Sequence, residues 1–417
     1  MTIERKPFPE GGQDWAELEA RMDALSHDDI DWSGGRSPLF VFFNDQATYE
    51  VGKKAYAKFF TENALGRKRA FFGIAEMERD VLGHGLDLFS APDGATGAFT
   101  SGGSESIFLA MKAARDAFRA RTGRKAGHNI VVAWSAHPAF DKAADAMDIA
   151  LRRAPLAPDL LADPAAMADL ADEDTIAMVG SAPCFPHGII DPIEALSALA
   201  LERGIWLHVD ACVGGYIAPF FHRIGRDIPH FDFRFAGVRS ISADLHKFGF
   251  CPKPASTVYY RDADDLARAT FDSDDWPNGR FATETLVGTR PGGAVAASWA
   301  VLNHLGEAGY RRAARNLAEM TDAYVAGIEA IEGLRMWARP DLSIINFGSG
   351  EIDMFEVAER MSARGWLPGL TKQPRGMHAM MSMLHAPARE TYLADLSACV
   401  DEVRKGGASR SSLEATY

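Results

Sequence analysis

The run from Ser240 to Pro254 reads Ser-Ile-Ser-Ala-Asp-Leu-His-Lys-Phe-Gly-Phe-Cys-Pro-Lys-Pro and sets Lys247 between His246 and Phe248, behind small and polar residues. A lysine amine attacks a carbonyl only when deprotonated, and burial or a nearby cation lowers its pKa enough to supply that form. A single lysine is ordinarily a solvated surface group, so the company it keeps must decide.

That company is specific. Thr100-Ser-Gly-Gly-Ser-Glu-Ser106 puts a glycine pair before a strong helix former, with Ser104 read as the N-cap. Free N–H groups at such a helix start, approached closely across Gly102 and Gly103, make a phosphate cradle. His137 and Asp210 each fall just beyond a short apolar run that reads as a strand. Pyridoxal phosphate (PLP) asks a protein for an imine-forming lysine, a phosphate cradle, an acid beside the pyridine nitrogen, a flat group to stack on the ring, and walls that orient the bond to be broken. Lys247, the Gly102-Gly103-Ser104 turn, Asp210 and His137 answer the first four. Each has a plainer reading as surface charge, turn, helix cap or structural histidine. Their order along the chain, cradle, His, Asp and Lys at successive strand ends, is what joins them.

The elements that must position these residues are legible in outline. Asn129 to Ser135, Thr175 to Ser181, Ile205 to Val209 and Thr257 to Tyr260 read as strands, and Phe140 to Ala150 and Pro192 to Arg203 as helices. Such alternation indicates a mainly parallel sheet covered on both faces, with ligands gathered beyond the carboxyl ends of its strands. Helices are also expected over Thr48 to Phe60, Ile74 to Phe89, Ala294 to Leu305 and Tyr310 to Ile331. A small α+β unit follows, with strands Ser343 to Phe347 and Met377 to Ser382 and helices Met354 to Arg364 and Glu390 to Arg404. The small, polar tail from Gly406 is expected to be loose. Three parts result: 1–60 as a segment packing at a dimer contact or active site, 61–309 as a large cofactor-binding domain, and 310–417 as a small C-terminal domain.

Composition narrows the class. A chain of 417 residues with 47% hydrophobic content builds a large core. A formal charge of −13 argues against a nucleic-acid binder and against docking on an anionic membrane. Cys184, Cys212, Cys251 and Cys399 lie far apart without metal-ligand spacing, so reduced thiols and no metal are expected. No window approaches a membrane span and the first residues carry no signal-peptide pattern, which points to a cytoplasmic protein.

Six stretches carry a family resemblance: Thr100 to Ser106, Ser135 to Lys142, Phe185-Pro-His-Gly-Ile-Ile-Asp191, His208-Val-Asp-Ala-Cys-Val-Gly-Gly215, Ser240 to Lys247, and Gly288-Thr-Arg-Pro-Gly-Gly293. Together they resemble the sphingosine-1-phosphate lyase family, within the group II decarboxylase branch of fold-type I PLP enzymes. The resemblance implies an aspartate aminotransferase-like α/β fold with a mainly parallel, seven-stranded type of sheet. It also implies a soluble homodimer with shared active sites and retro-aldol cleavage of a β-hydroxy amine to an aldehyde and a smaller amine. In that scheme Lys247 is the Schiff-base lysine, His137 stacks on the ring and Asp210 pairs with its nitrogen. Gly102, Gly103, Ser104, Ser242 and His246 are cofactor contacts, and Gly288 and Thr289 approach from the other subunit.

For substrate, the resemblance assigns Lys253 to a phosphate. The family's accompanying tyrosine and histidine are missing where Val41-Phe42-Phe43 and Asn63-Ala64-Leu65-Gly66 stand. Arg67 and Arg69, flanking Lys68, are alternative anion ligands, since guanidinium grips phosphate or carboxylate in a fork. His187 and His385 are candidates for polar groups near the reacting bond, with a structural role equally open. The competing reading is a PLP-dependent amino-acid decarboxylase, for which Arg67, Arg69 or Arg375 would hold the carboxylate. A PLP-binding protein without catalysis is the minor alternative.

Overall fold

The computed structural model describes residues 2–406, 411 and 413–415. Residues 407–410, 412, 416 and 417, part of the tail expected to be loose, lie outside the described residues. Seven strands make the main sheet: β1 (Thr96–Thr100), β2 (Asn129–Ala133), β3 (Ala150–Ala154), β4 (Thr175–Ser181), β5 (Trp206–Asp210), β6 (Val238–Ala243) and β7 (Ser256–Tyr260). Their spatial order is β1-β7-β6-β5-β4-β2-β3. Strands β3, β2, β4, β5 and β6 run parallel, and β7 is antiparallel to both β6 and β1. The carboxyl ends of β1, β2, β4, β5 and β6 therefore share one edge.

The central strands are buried end to end, as strands covered on both faces must be. Alternate side chains enter different cores. Val131, Met178, Leu207 and Ile241 join Val81 of the helix Phe72–Leu88 and Val301 of the helix Gly292–Glu329. Ile130, Val132, Val179 and Trp206 join Met111 of the helix Gly103–Thr122 and Phe140 of the helix Ala139–Ala146. Period-two alternation thus builds a three-layer sandwich from strands that read as unbroken apolar runs.

The sequence reading ran the second of these helices to Ala150. It stops at Ala146 because Asp148 takes a positive φ of 53°, and Ala150–Ala154 becomes an edge strand instead. A short hairpin, β8 (Phe271–Ser273) and β9 (Phe281–Thr283), follows the main sheet. The two helices expected beyond it follow one another within Gly292–Glu329 and meet at a kink at Gly306, whose backbone is not helical (φ 52°, ψ −172°). A four-stranded antiparallel sheet closes the chain, β10 (Arg335–Ala338), β11 (Ile344–Gly348), β12 (Gly369–Lys372) and β13 (Arg375–Met380), in the order β10-β11-β13-β12. The helices Met354–Ala363 and His385–Gly406 accompany it.

The N-terminal segment ties these parts together. Carbonyls of Arg36, Pro38 and Phe43 accept from the amides of Leu367, Met380 and Met383, so this stretch runs along the small sheet. The helix Gln46–Lys58 lies against Gly292–Glu329 so closely that a Cβ on Gly293 would stand 2.7 Å from the Tyr56 carbonyl oxygen. The helix Trp15–Leu25, by contrast, buries none of its residues. Among the described residues no helix is long and apolar enough to cross a membrane, and all four cysteines are free and buried.

The backbone of Gly306 sits where a Cβ is strained whatever the surrounding space. Gly306→Ala is expected to lower unfolding stability by about 1 to 3 kcal/mol, measurable as a reduced midpoint in urea with an unchanged slope.

Candidate active site

A cavity of about 330 Å³ opens at the shared carboxyl edge of the main sheet. Its walls include Gly102, Gly103 and Ser104 beyond β1, His137 beyond β2, Asp210 at the end of β5, and Asp244, His246 and Lys247 beyond β6. The parallel strands bring together residues that lie up to 145 positions apart, from Gly102 to Lys247.

The cradle is built around a missing side chain. A Cβ on Gly103 would meet Cys212 Sγ at 2.7 Å and the Asp244 carboxylate at 3.0 Å, so only glycine fits there. Gly102, not Ser104, is the N-cap; Ser104 lies in the first turn, where amides have no acceptor one turn back. Thr100 Oγ1 and Ser106 Oγ lie 2.6 Å apart, and Ser106 Oγ is 2.9 Å from Ser256 Oγ, fixing the turn to β7. Glu105 is the clasp. One oxygen accepts from the amide and hydroxyl of Ser101, both at 2.7 Å, while the other accepts from the amides of Leu286 (2.8 Å) and Val287 (3.1 Å).

Asp210 is held from behind. Its Oδ1 accepts from the Cys212 amide at 3.1 Å and the Ser242 hydroxyl at 3.3 Å. Ser242 contacts His208, whose other ring nitrogen lies 2.8 Å from Ser240 Oγ. Burial pushes His208 down to about 4, so it stays neutral and serves this relay as a hydrogen-bonding group. Ser242, expected as a direct cofactor contact, is thus a support for Asp210 and does not line the cavity. His137 accepts from the Ala139 amide at 3.1 Å and His246 from the Ala255 amide at 3.1 Å. Burial, foremost, lowers both imidazoles, which favours the neutral, flat ring.

Lys247 departs from the expectation of a lowered pKa. Burial, the largest single influence, presses it down, but the Asp244 carboxylate 3.0 Å from Nζ, joined by Cys212 and Asp210, raises the amine above the ordinary lysine value. Asp244 is itself 2% exposed, and its Oδ1 has no hydrogen-bond partner. Sequence reasoning passed over both Asp244 and Glu105. An acid three residues before the lysine, and an acid at the third position of a helix, were the available signals.

The substrate-side candidates scatter. Lys253 donates to the Phe40 carbonyl at 3.0 Å, and burial followed by the charge of Lys247 lowers its pKa. Arg67 is bound to Glu284 and lies 3.5 Å from Glu78, Arg69 is exposed, and neither lines the cavity. Arg375 pairs with Asp353 at 3.1 Å and lies over the Phe355 ring. His385 is not near the cavity either: Nδ1 accepts from the Ser382 amide and Nε2 donates to the Ser37 carbonyl, pinning the N-terminal segment to the small sheet. Gly288 and Thr289 do not line their own chain's cavity, and Thr289 accepts from Asn63 Nδ2 at 3.2 Å. His187 lines a second cavity of about 360 Å³ together with His378, Leu39, Trp134, Pro138 and Leu370. The two cavities meet along His137 and Phe185.

Pyridoxal phosphate fits this donor set: first-turn amides and a glycine cradle for an anion, a buried carboxylate, a flat neutral imidazole and one amine facing a single cavity. With the seven-stranded sheet, these features define a PLP-dependent enzyme of fold type I. The model of the pyridoxal-dependent decarboxylase conserved domain matches residues 73–349. A sphingosine-1-phosphate lyase of Oryza sativa is 36% identical over 390 residues, covering 92% of this chain and 72% of that protein. The structure of Burkholderia pseudomallei sphingosine-1-phosphate lyase superposes with a TM-score of 0.91 at 35% identity, covering 97% of this chain and 94% of the other. A probable L-tyrosine/L-aspartate decarboxylase of Methanothermobacter thermautotrophicus is 34% identical over 339 residues, 80% of this chain and 90% of its own length. The chain belongs to the pyridoxal-dependent decarboxylase family, in its sphingosine-1-phosphate lyase group, and is a PLP-dependent lyase.

Because Glu105 orients the turn that faces the cofactor's phosphate, Glu105→Ala is expected to weaken PLP binding at least about tenfold, the loss of one charge-assisted hydrogen bond. Binding of pyridoxal, which lacks the phosphate, should change little; equal losses for both ligands in a spectrophotometric titration would point to general damage instead.

Proposed function

We propose that this lyase cleaves the Cα–Cβ bond of a phosphorylated long-chain β-hydroxy amine, releasing a long-chain aldehyde and a phosphorylated small amine. The observation that carries the substrate class is the apolar second cavity adjoining the first, which offers Leu39, Trp134, Pro138 and Leu370 to an alkyl chain. Bound PLP supplies the electron sink that stores the pair left on Cα when the bond breaks. Lys247 is the amine that anchors the cofactor covalently, with Gly102, Gly103, Ser104 and His246 at its phosphate. Asp210 would face the ring nitrogen of the bound cofactor, and His137 would offer a flat imidazole to its ring. Lys253, on the loop after Lys247, is the cation assigned to the substrate phosphate. The cavity walls would orient the substrate and so select the bond that breaks.

The decarboxylase alternative needs a cation for the substrate's carboxylate. Arg67 and Arg375 are each already paired with acidic side chains and Arg69 lines neither cavity, which favours the carbon–carbon lyase.

The working unit is a homodimer. Phe271 and Trp276 of the hairpin segment and Leu286 and Val287 of the following loop are exposed within 17 residues of one another, an apolar surface suited to a second copy. In that arrangement Gly288 and Thr289 serve the neighbour's cradle, and the helix Trp15–Leu25 finds the partner surface it lacks within its own chain. Four buried free thiols suit the reducing cytoplasm.

Purified enzyme loaded with PLP is expected to form an aldehyde from a phosphorylated long-chain base and no CO2 from tyrosine or aspartate, with Lys247→Ala inactive. CO2 from an amino acid would overturn the assignment. Across a series of chain lengths, kcat/KM should rise roughly fourfold per added methylene, about 0.8 kcal/mol each, until the second cavity is filled. A flat series would remove the alkyl chain from that cavity.

A further inference from the structure

The amine that must attack a carbonyl is tied to a buried carboxylate, on which His246 and the Ser256 hydroxyl also act. β6 ends at Ala243, and the turn that follows folds the Asp244 side chain back onto Lys247, Oδ2 to Nζ at 3.0 Å. Asp244 Oδ1 is buried without a partner, and both of its oxygens crowd the space left by the missing side chain of Gly103. The carboxylate therefore stands between the reacting nitrogen and the phosphate cradle. From the elements packed around it, Lys247 is also faced by Asp210 and the Cys212 thiol on the β5 turn, His137 beyond β2, and His246 and Lys253 on its own loop. Asp210 is engaged by the Cys212 amide and Ser242, and burial keeps the thiol protonated. His246 Nε2 lies 3.6 Å from the same Asp244 oxygen, beyond the distance of the lysine. No base other than Asp244 forms an ion pair with Nζ among the described residues.

We propose that Asp244 is the proton partner of Lys247: it holds the amine as an ammonium whenever the nitrogen is not covalently engaged, and takes that proton when the amine must attack a carbonyl. In the step, one N–H bond of the ammonium breaks and an O–H bond forms at Oδ2. The nitrogen pair is freed for attack, and the charged pair becomes neutral on both sides. Nothing is oxidised or reduced, and the proton remains within 3.0 Å of where it must return. The exchange also reconciles a carboxylate with the cradle, because the neutral acid no longer repels a phosphate beside Gly103. This role rests on Lys247 as the cofactor's anchor, which Lys247→Ala tests separately through loss of cofactor capture.

The ion pair is read on cofactor-free protein by labelling amines with an acylating reagent across the alkaline pH range and following the Lys247 and Lys253 peptides by mass spectrometry. In the wild type, the pH midpoint of Lys247 is expected above that of Lys253. Asp244→Asn should lower the Lys247 midpoint by at least about one unit, a tenfold fall in proton affinity, and Asp244→Glu should restore most of it. A Lys247 midpoint below that of Lys253 in the wild type overturns the proposal even if the variants do not fold. So does an unchanged midpoint in a folded Asp244→Asn.

Discussion

The constraint on which the molecule depends is the burial of unlike charges at one edge of a sheet. An isolated ion taken from water costs several kcal/mol even after relaxation, and removing one member of a buried pair costs on the order of 3–5 kcal/mol. Lys247, Asp210 and Asp244 are tolerable together because β5 and β6 are neighbours whose carboxyl ends coincide. A register slip of one residue would send Asp210 to the opposite face and leave the amine with a different partner. The apolar layers on both sides of the sheet thus serve chemistry by fixing register, and the fully buried strands are the part of the fold with least freedom to vary.

The order of motifs is legible in the sequence, because each candidate group falls where a short apolar run meets a polar turn. Lys247, His137, Asp210 and the glycine turn all reach the same cavity for that reason. Asp244 and Glu105 were not legible as functional groups. Both are single acids near a helix start or turn, positions that acidic residues occupy for ordinary capping. Only distances separate a cap from a clasp. Arg67 and His385 went the other way: their types suit anion and proton chemistry, but Glu284 and the Ser37 carbonyl, far away in sequence, had already engaged them. The edge strand β3 escaped because Ala-Leu-Arg-Arg-Ala carries no alternation and lies half exposed.

Neutral imidazoles complete the electrostatics. Burial lowers His137, His208 and His246 alike, and His208 and His378 reach about 4. The sign follows directly. A histidine whose folded value is depressed contributes stability above its unfolded value, near 6.5, and loses that contribution as pH falls toward the folded value. Besides the imidazoles and the Cys212 thiol, the ionisable groups lining the cavity are one amine, Lys247, and three carboxyl groups, Glu105, Asp210 and Asp244. That leaves a net negative site for a cofactor phosphate, unless the helix amides and a shift of a proton between Asp244 and Lys247 compensate.

The same accounting separates the candidate anion ligands. Arg67 and Arg375 sit in pairs whose carboxylates neutralise them, and a neutralised fork has little left for phosphate; Arg69 is exposed and lines neither cavity. Lys253 instead donates to the backbone carbonyl of Phe40, an uncharged acceptor that leaves the ammonium's charge uncompensated. Its lowered pKa reflects burial and the like charge of Lys247, and a phosphate placed beside it would relieve the second of these. The long-chain base proposed above would meet the apolar walls beyond His137 and Phe185, which a small amino acid would leave unused, while Lys253 lines neither cavity.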